Sequence, residues 1–392
     1  MSRIYIFTGK GGVGKSSVAS AHAIKSAQKG KKTLIVSTDM AHNLGDIFEI
    51  ELGKEPIEVL ENLDVYEIDP NYVMEHDFAD MTASLGKLLP QTNSSSMEEF
   101  GMVPGMEELF SLLKIAELHE KNYYERIIVD CAPTGETLSL LKFPELLSWY
   151  MEKLFPVGKV AVRLLSPISK HFFKVEFPNK KAMNDIERMY LKLARLQELL
   201  KDRAITSVRL VTVPEKMVVE ETKRNYMYMN LYNFNVDGIY INRILPEGLD
   251  NKFFEEWLVI QKKYITQLEE IFGMLPIYRI PWYDEELKGK HAVERICKDA
   301  LISDEVFETK IITERETFQQ NEKGYCLSVS LPYADKTDMD LYQSSSDVVI
   351  KINNFKRNIP LPNVLRTYGI TSAKLENGVL RIQFEKEDTT HE

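Results

Sequence analysis

One short stretch, "GKGGVGKSS" (Gly9–Ser17), constrains the fold more than any other part of the chain. The apolar run "RIYIF" leads into it, and the alanine-rich "SVASAHAIKSAQKGKK", with Gly30 near its end, leads out. A short buried strand, a glycine turn and a helix make half of a βαβ unit, which implies a parallel sheet covered by helices. Gly9-x-x-x-x-Gly14-Lys15-Ser16 is a full phosphate-loop pattern, placed between strand and helix as the mechanism requires. The glycines let backbone N–H groups surround the phosphates, and the helix that follows points its positive end at them. The expected nucleotide-binding set is therefore Gly9, Lys10, Gly11, Gly12, Val13, Gly14, Lys15, Ser16 and Ser17. Lys15 would bridge the β- and γ-phosphates, the Ser16 hydroxyl would bind Mg²⁺, and the Ser17 hydroxyl would reach the α-phosphate. Lys10 lies within the turn, but the phosphate-loop pattern gives its charge no role, which calls for another explanation.

The rest of the first 300 residues extends the same rhythm. "TLIVST", "ERIIVD" (125–130), "SVRLVTV" (207–213), "DGIYIN" (237–242) and "LPIYRIP" (275–281) read as further strands. Residues 70–122 and 143–203 break the rhythm; they are helical in pattern, rich in Met, Leu and Phe, and read as insertions beside the sheet. The polar "QTNSSS" (91–96) reads as a loop within the first insertion. From about residue 308 the period changes to two. Tyr325, Leu327, Val329 and Leu331 share one face, as do Val348, Ile350 and Ile352, and Leu380, Ile382 and Phe384. This tail is expected to be a small β-sandwich that folds alone, with "SDEVFETK" (303–310) as a short linker outside the core. The expected fold class is thus α/β: a P-loop parallel sheet with helices on both faces and a helical subdomain (1–302), plus a small all-β sandwich (308–392).

Composition narrows the function classes. At 392 residues the chain is long enough for two domains, and 44% apolar with 28% charged residues suits a soluble protein with a large core. A net charge of −10 argues against nucleic acid as the main partner. No apolar run approaches the roughly 18 residues needed to span a bilayer, and the opening strand leaves no room for a signal peptide. Cys131, Cys297 and Cys326 are far apart and form no CxxC pair, which fits a reducing cytosol.

A phosphate loop also needs acids for the metal and for the attacking water. Asp130 ends a hydrophobic strand, and Asp39 follows another in "STDMAHNL". On a parallel sheet both emerge at the edge that carries the loop, where one can hold the metal's waters and the other orient the nucleophilic water. Ser16, Asp39 and Asp130 are the expected metal set, and Asp39, Lys10 and Lys15 the catalytic set.

These segments carry a family resemblance. "KGGVGKS" with its extra lysine resembles the deviant Walker A ATPases, a dimeric class. "STDMAHNLGDIF" and "DCAPTGETLSLLKFPELL" resemble the arsenite-pump ATPases and the related targeting factors for tail-anchored membrane proteins; "VTVPEKMVVEETKR", "IYINRILPE" and "RIPWYDEELKG" continue the match to about residue 300. The resemblance implies ATP and Mg²⁺ as cofactors. It implies that Lys10 crosses a dimer interface to the partner's nucleotide, supplying its charge in trans as an arginine finger would. It also implies a first switch at Asp39–Leu44 with Asp39 activating water, a second at Asp130–Thr137, and Asn242 reading adenine. Pro281, in the last of these segments, is counted with the nucleotide-binding residues. Met40 and Glu136 depart from the family's usual Pro and His, and the clustered thiols of an arsenite site and the CxxC of a zinc-clamped dimer are absent. With a single P-loop in the chain, a homodimer must supply the second site.

The tail resembles the α-crystallin domain of small heat-shock proteins through "AKLENGVL" (373–380), "SLPYADKTDMDL" and "RNIPLP", without the I-x-I tail that drives large oligomers. Two apolar stretches, "LLSWYMEKLF" (146–155) and "VRLLSPISKHFF" (162–173), suit a promiscuous hydrophobic surface, for which ordinary packing is the competing reading. The expected function is a dimeric, cytoplasmic (or organellar) ATPase whose opening and closing controls binding of hydrophobic protein clients, with at most transient membrane contact. The alternative is an ATPase that energises an anion or metalloid pump, or delivers a metal or small ligand.

Overall fold

The computed structural model describes residues 2–39, 43–86, 106–131, 185–249, 251–308, 315–322, 324–344 and 347–386. The readings placed on 91–96, 146–155, 162–173, Met40 and Glu136 lie outside the described residues. Contacts divide the chain into two units: 1–151, 183–222 and 235–311 form the first, and 152–182, 223–234 and 312–392 the second.

In the first unit eight described strands form one sheet. They are β1 (Arg3–Thr8), β2 (Thr33–Ser37), β3 (Ile57–Leu60), β4 (Leu63–Glu67), β5 (Arg126–Asp130), β6 (Thr206–Thr212), β7 (Val236–Ile244) and β8 (Ile277–Pro281), ordered β3-β4-β2-β5-β1-β6-β7-β8. Every pairing is parallel except β3 with β4. The six strands read from the sequence are all present. Residues 57–67 supply two more, each short, with Glu58 and Asp64 breaking up the continuous apolar run by which the other strands are recognised.

The described helices are α1 (Lys15–Gln28), α2 (Asn43–Phe48), α3 (Pro70–Tyr72, running into a π-turn at Val73–Asp77), α4 (Ala79–Gly86), α5 (Met106–Glu120), α6 (Asp185–Lys201), α7 (Lys216–Leu231), α8 (Lys252–Phe272) and α9 (Gly289–Asp299). α3 to α6 fall within the two helical insertions. α1 stops where Gly30 takes φ 71° and its N–H bonds Ala27 O at 2.8 Å, a left-handed C-terminal cap. α1 packs over β1 and against α9, and beneath it lies a buried polar network. His22 places Nδ1 2.8 Å from Val18 O and Nε2 2.9 Å from the Tyr240 hydroxyl; Arg209 donates to that hydroxyl and to Asp237. Burial pushes the His22 pKa down, so the ring is held neutral.

The segment 303–308 corrects one expectation: it is part of the core. Asp304–Phe307 form a single 3₁₀ turn capped by Ser303, with Val306 and Phe307 buried. Tyr5 donates its hydroxyl to Phe307 O at 2.7 Å, and the Arg126 guanidinium sits 3.9 Å from the Phe307 ring centre.

In the second unit the strands are β9 (Glu316–Asn321), β10 (Gly324–Ser330), β11 (Met339–Gln343), β12 (Asp347–Ile352), β13 (Phe355–Pro360), β14 (Tyr368–Glu376) and β15 (Val379–Lys386). They form two antiparallel sheets, β14-β15-β10-β9 and β11-β12-β13. The alternating positions are buried as expected, from Leu327 and Val329 through Val348, Ile350 and Ile352 to Leu380, Ile382 and Phe384, while Tyr325 is only half-buried. Asn377 and Gly378, at φ 50° and 71°, make the tight turn between β14 and β15. The sandwich is not complete by itself. Residues 223–234, the second half of α7 and the turn after it, belong to this unit: the Tyr228 and Phe355 rings lie 3.8 Å apart, Arg357 bonds both Leu231 O and Glu316, and Arg315 bonds Asn230.

Candidate nucleotide site

The glycine turn joins β1 to α1 at the carboxyl edge of the sheet, and its glycines serve two purposes. A Cβ on Gly9 would stand 2.2 Å from Val211 O, and one on Gly14, at φ 90°, would stand 2.3 Å from Asn242 Nδ2. These two let the turn lie directly on β6 and β7. Gly11 and Gly12 have no atom within 4 Å of where a Cβ would be, and Gly12 has φ 79°. Open space on that side of the turn is what a phosphate group requires. α1 begins with Gly14 as its cap and no side chain covering its first N–H groups, so they remain available to an anion. Lys15 is buried at the start of α1, while Ser16 and Ser17 are half-buried on its first turn.

The acids arrive from neighbouring strands. The register pairs Phe7 and Ser37 with Asp130, so β1, β2 and β5 end together. Asp130 is wholly buried, and neither of its carboxylate oxygens has a hydrogen-bond partner among the described residues; the buried Thr38 hydroxyl shares that condition. Burial pushes the Asp130 carboxyl up to about 7, and the charges of Asp39 and Glu67 add to the rise. The Ser16 hydroxyl and the Lys15 ammonium oppose it, although Ser16 closes no hydrogen bond of normal geometry to the carboxylate. Buried oxygens left without partners are costly, and a hydrated cation would satisfy them. Hard oxygen donors of this type suit Mg²⁺. Asp39 follows β2, half-buried, its N–H bonded to Ser37 Oγ at 3.1 Å.

Lys10 lies on the turn with Nζ 3.9 Å from Glu221 of α7. Asn242 is buried at the end of β7; its amide donates to Val13 O at 2.8 Å and its Oδ1 accepts from Arg243 N at 2.9 Å. Pro281 ends β8 beside Ile244, and Trp282 N bonds Ile244 O at 2.7 Å. The turn, Asp39, Asp130 and Asn242 therefore gather at one edge. Two acids there had no signal in the sequence. Glu67 accepts from Leu44 N (2.8 Å) and Gly45 N (3.1 Å), tying the first turn of α2 to the end of β4. Glu221 is the partner of Lys10. Both act across long sequence separations, and only strand order brings them to the site.

Residues 2–302 match the family of anion-transporting ATPases, and residues 322–384 match the HSP20-like domain found in such ATPases. The chain belongs to the anion-transporting ATPase family. A relative from Chlorobaculum tepidum, named "Putative arsenical pump-driving ATPase", is 34% identical over 98% of this chain and 96% of its own length. "ATPase ASNA1 homolog 1" of Paramecium tetraurelia and "ATPase get3" of Pyrenophora tritici-repentis are each 31% identical over 75% of this chain, covering 91% and 90% of those proteins. The family match ends just before the 3₁₀ turn that carries Phe307, and the second match covers most of the sandwich. Both resemblances read from the motifs are therefore correct at the level of family.

Proposed function

We propose that the chain hydrolyses ATP as a homodimer and that its nucleotide state governs the holding of hydrophobic protein segments. The observation that carries the ATPase reading is the buried, unpartnered carboxylate of Asp130 beside Lys15, at the foot of a glycine turn whose outer side is open. In this reading the turn's N–H groups and Lys15 hold the β- and γ-phosphates, while Ser16 and Asp130 hold a hydrated Mg²⁺, with Asp39 close by. The bound ion supplies positive charge to the phosphate oxygens. Asp39 accepts a hydrogen bond from the attacking water and orients it. Lys10 leaves Glu221 and reaches the partner's nucleotide. Family membership and the relation to the ASNA1 and get3 ATPases support the ATPase reading, and the HSP20-like domain supports the client reading. The setting is the cytoplasm or an organellar equivalent.

Phosphate release with Mg²⁺ present tests the chemistry. Lys15→Ala should lose nucleotide binding, whereas Asp39→Asn should bind normally and turn over 100-fold or more slower. Parental turnover by Asp39→Asn would remove the water-orienting role. The Asp39→Asn protein held with ATP should co-purify with apolar polypeptides. The name of the Chlorobaculum relative keeps a second reading in view, a pump-driving subunit. Against it, the buried Cys297 thiol bonds Ala21 O and burial pushes its pKa up to about 12, which leaves little thiolate for a metalloid. Saturable stimulation by arsenite, lost on mutating Cys131, Cys297 or Cys326, would favour the pump reading.

A further inference from the structure

The end of β7, which meets the phosphate turn through Asn242, is irregular. Its register against β8 shifts between Ile241 and Ile244, and Arg243 takes φ 56°, an unusual value for a residue with a long side chain. A local break of this kind re-aims a side chain and persists only where other contacts hold it. The side chain concerned is Asn242. Its Oδ1 is tied to Arg243 N (2.9 Å), which fixes the plane of the amide, and its Nδ2 meets Val13 O at 2.8 Å. The fit is close: a Cβ at position 14 would stand 2.3 Å from that nitrogen, and the φ of 90° there favours glycine independently.

From this geometry we propose that Asn242 is a positioning residue for the phosphate loop, acting through the Val13–Gly14 peptide whatever base the nucleotide carries. The C=O and N–H of a trans peptide point in opposite directions. Holding Val13 O against β7 therefore turns the Gly14 N–H away from the sheet strand. Gly14 is also the cap of α1, and its own carbonyl accepts from Val18 N at 3.1 Å, so the same bond sets the start of the helix that carries Lys15 and Ser16. One Nδ2 hydrogen serves Val13 O. The other is left for a contact with the base, so a base-reading role and this one can coexist. The proposal rests on the phosphate-binding reading of the turn, and it makes Asn242 important for ligands that have no base at all.

The test uses the full chain and two variants, Asn242→Ala and Asn242→Asp. The second keeps the size of the side chain and its bond from Arg243 N, but presents an oxygen to Val13 O. Affinities for ATP, GTP and inorganic triphosphate are measured by calorimetry, and hydrogen exchange of residues 9–17 is measured without ligand. Both variants should weaken inorganic triphosphate, Asn242→Ala by roughly five- to tenfold for one lost hydrogen bond and Asn242→Asp by more because it adds negative charge, and both should weaken ATP and GTP by at least the same factor. Exchange in 9–17 should rise while exchange in β1 and β6 stays at the parental level. A loss confined to ATP, with triphosphate affinity unchanged, would make Asn242 a base reader only and overturn the proposal. Unchanged exchange in the ligand-free turn would overturn it too. That arm decides the matter even if the parental chain binds none of the three ligands, an outcome that would sink the nucleotide reading itself.

Discussion

The carboxylate of Asp130 is costly to the ligand-free protein, because its burial disfavours charge and the Ser16 hydroxyl and Lys15 ammonium offset that only in part. Its folded pKa, about 7, lies above that of an exposed carboxylate. Between the two values the folded state binds more protons than the unfolded one, so stability falls as pH rises through that window, by at most about 1.4 kcal/mol per pH unit. Denaturation of the ligand-free chain followed from pH 5 to 8 should show this loss, and Asp130→Asn should flatten the profile. An unchanged profile would mean that the carboxyl titrates in its ordinary range. Lys10 carries a different prediction. In one chain it faces Glu221, so its action on a partner's nucleotide requires that contact to open. Lys10→Ala should bind ATP and turn over slowly, and mixing it with Asp39→Asn should restore activity at the composite site that holds both wild-type groups. No rescue in verified mixed dimers would make Lys10 local. Residues with a fixed local pattern, Gly9 to Ser17, could be read directly, and Asp39 and Asp130 could be inferred from strand ends. Glu67 and Glu221 could not, because nothing near them in the chain marks what they meet.

At the scale of elements, long apolar strands announced themselves and mixed ones did not. "RIIVD" and "SVRLVTV" are buried on both faces, as parallel strands are, and stay mostly apolar, with Arg209 the one charged residue inside the second. β3 lies at the sheet edge, where exposed Glu58 interrupts the pattern. The acidic segment 303–308 misled in the opposite direction: its charges are at the surface, yet Val306 and Phe307 turn inward. Asp304 pairs with Lys29 at 3.0 Å, an exposed contact worth little, so the apolar pair must hold the turn. Phe307→Ala should cost about 3 kcal/mol or more in urea denaturation, and Phe307→Leu clearly less. Equal midpoints for Ala and parent would show that the pocket closes without the ring.

For the whole molecule, the boundary between the units is set by packing more than by chain order. Residues 223–234 belong with the sandwich although they lie some eighty residues before it, and 303–308 belong with the sheet although they adjoin the tail. A cut after about residue 305, which the sequence favours, would discard Phe307; a cut after Glu308 keeps it. The shorter form should be less stable by an amount comparable to Phe307→Ala. The longer form should fold and keep near-parental ATPase activity, because the glycine turn, Asp39, Asp130 and Asn242 all precede the cut. It loses the Phe355 ring from Tyr228 and the Arg357 guanidinium from the end of α7, so hydrogen exchange should rise in 223–234. Whether the sandwich also holds clients is a separate matter, read from the aggregation of an apolar protein at equal dimer concentration. Two tethered weak sites hold more tightly than one, so the full chain should protect better than residues 1–308. Equal protection would take client holding away from the sandwich and leave it as a brace for the second half of α7, a role that the exchange measurement detects independently.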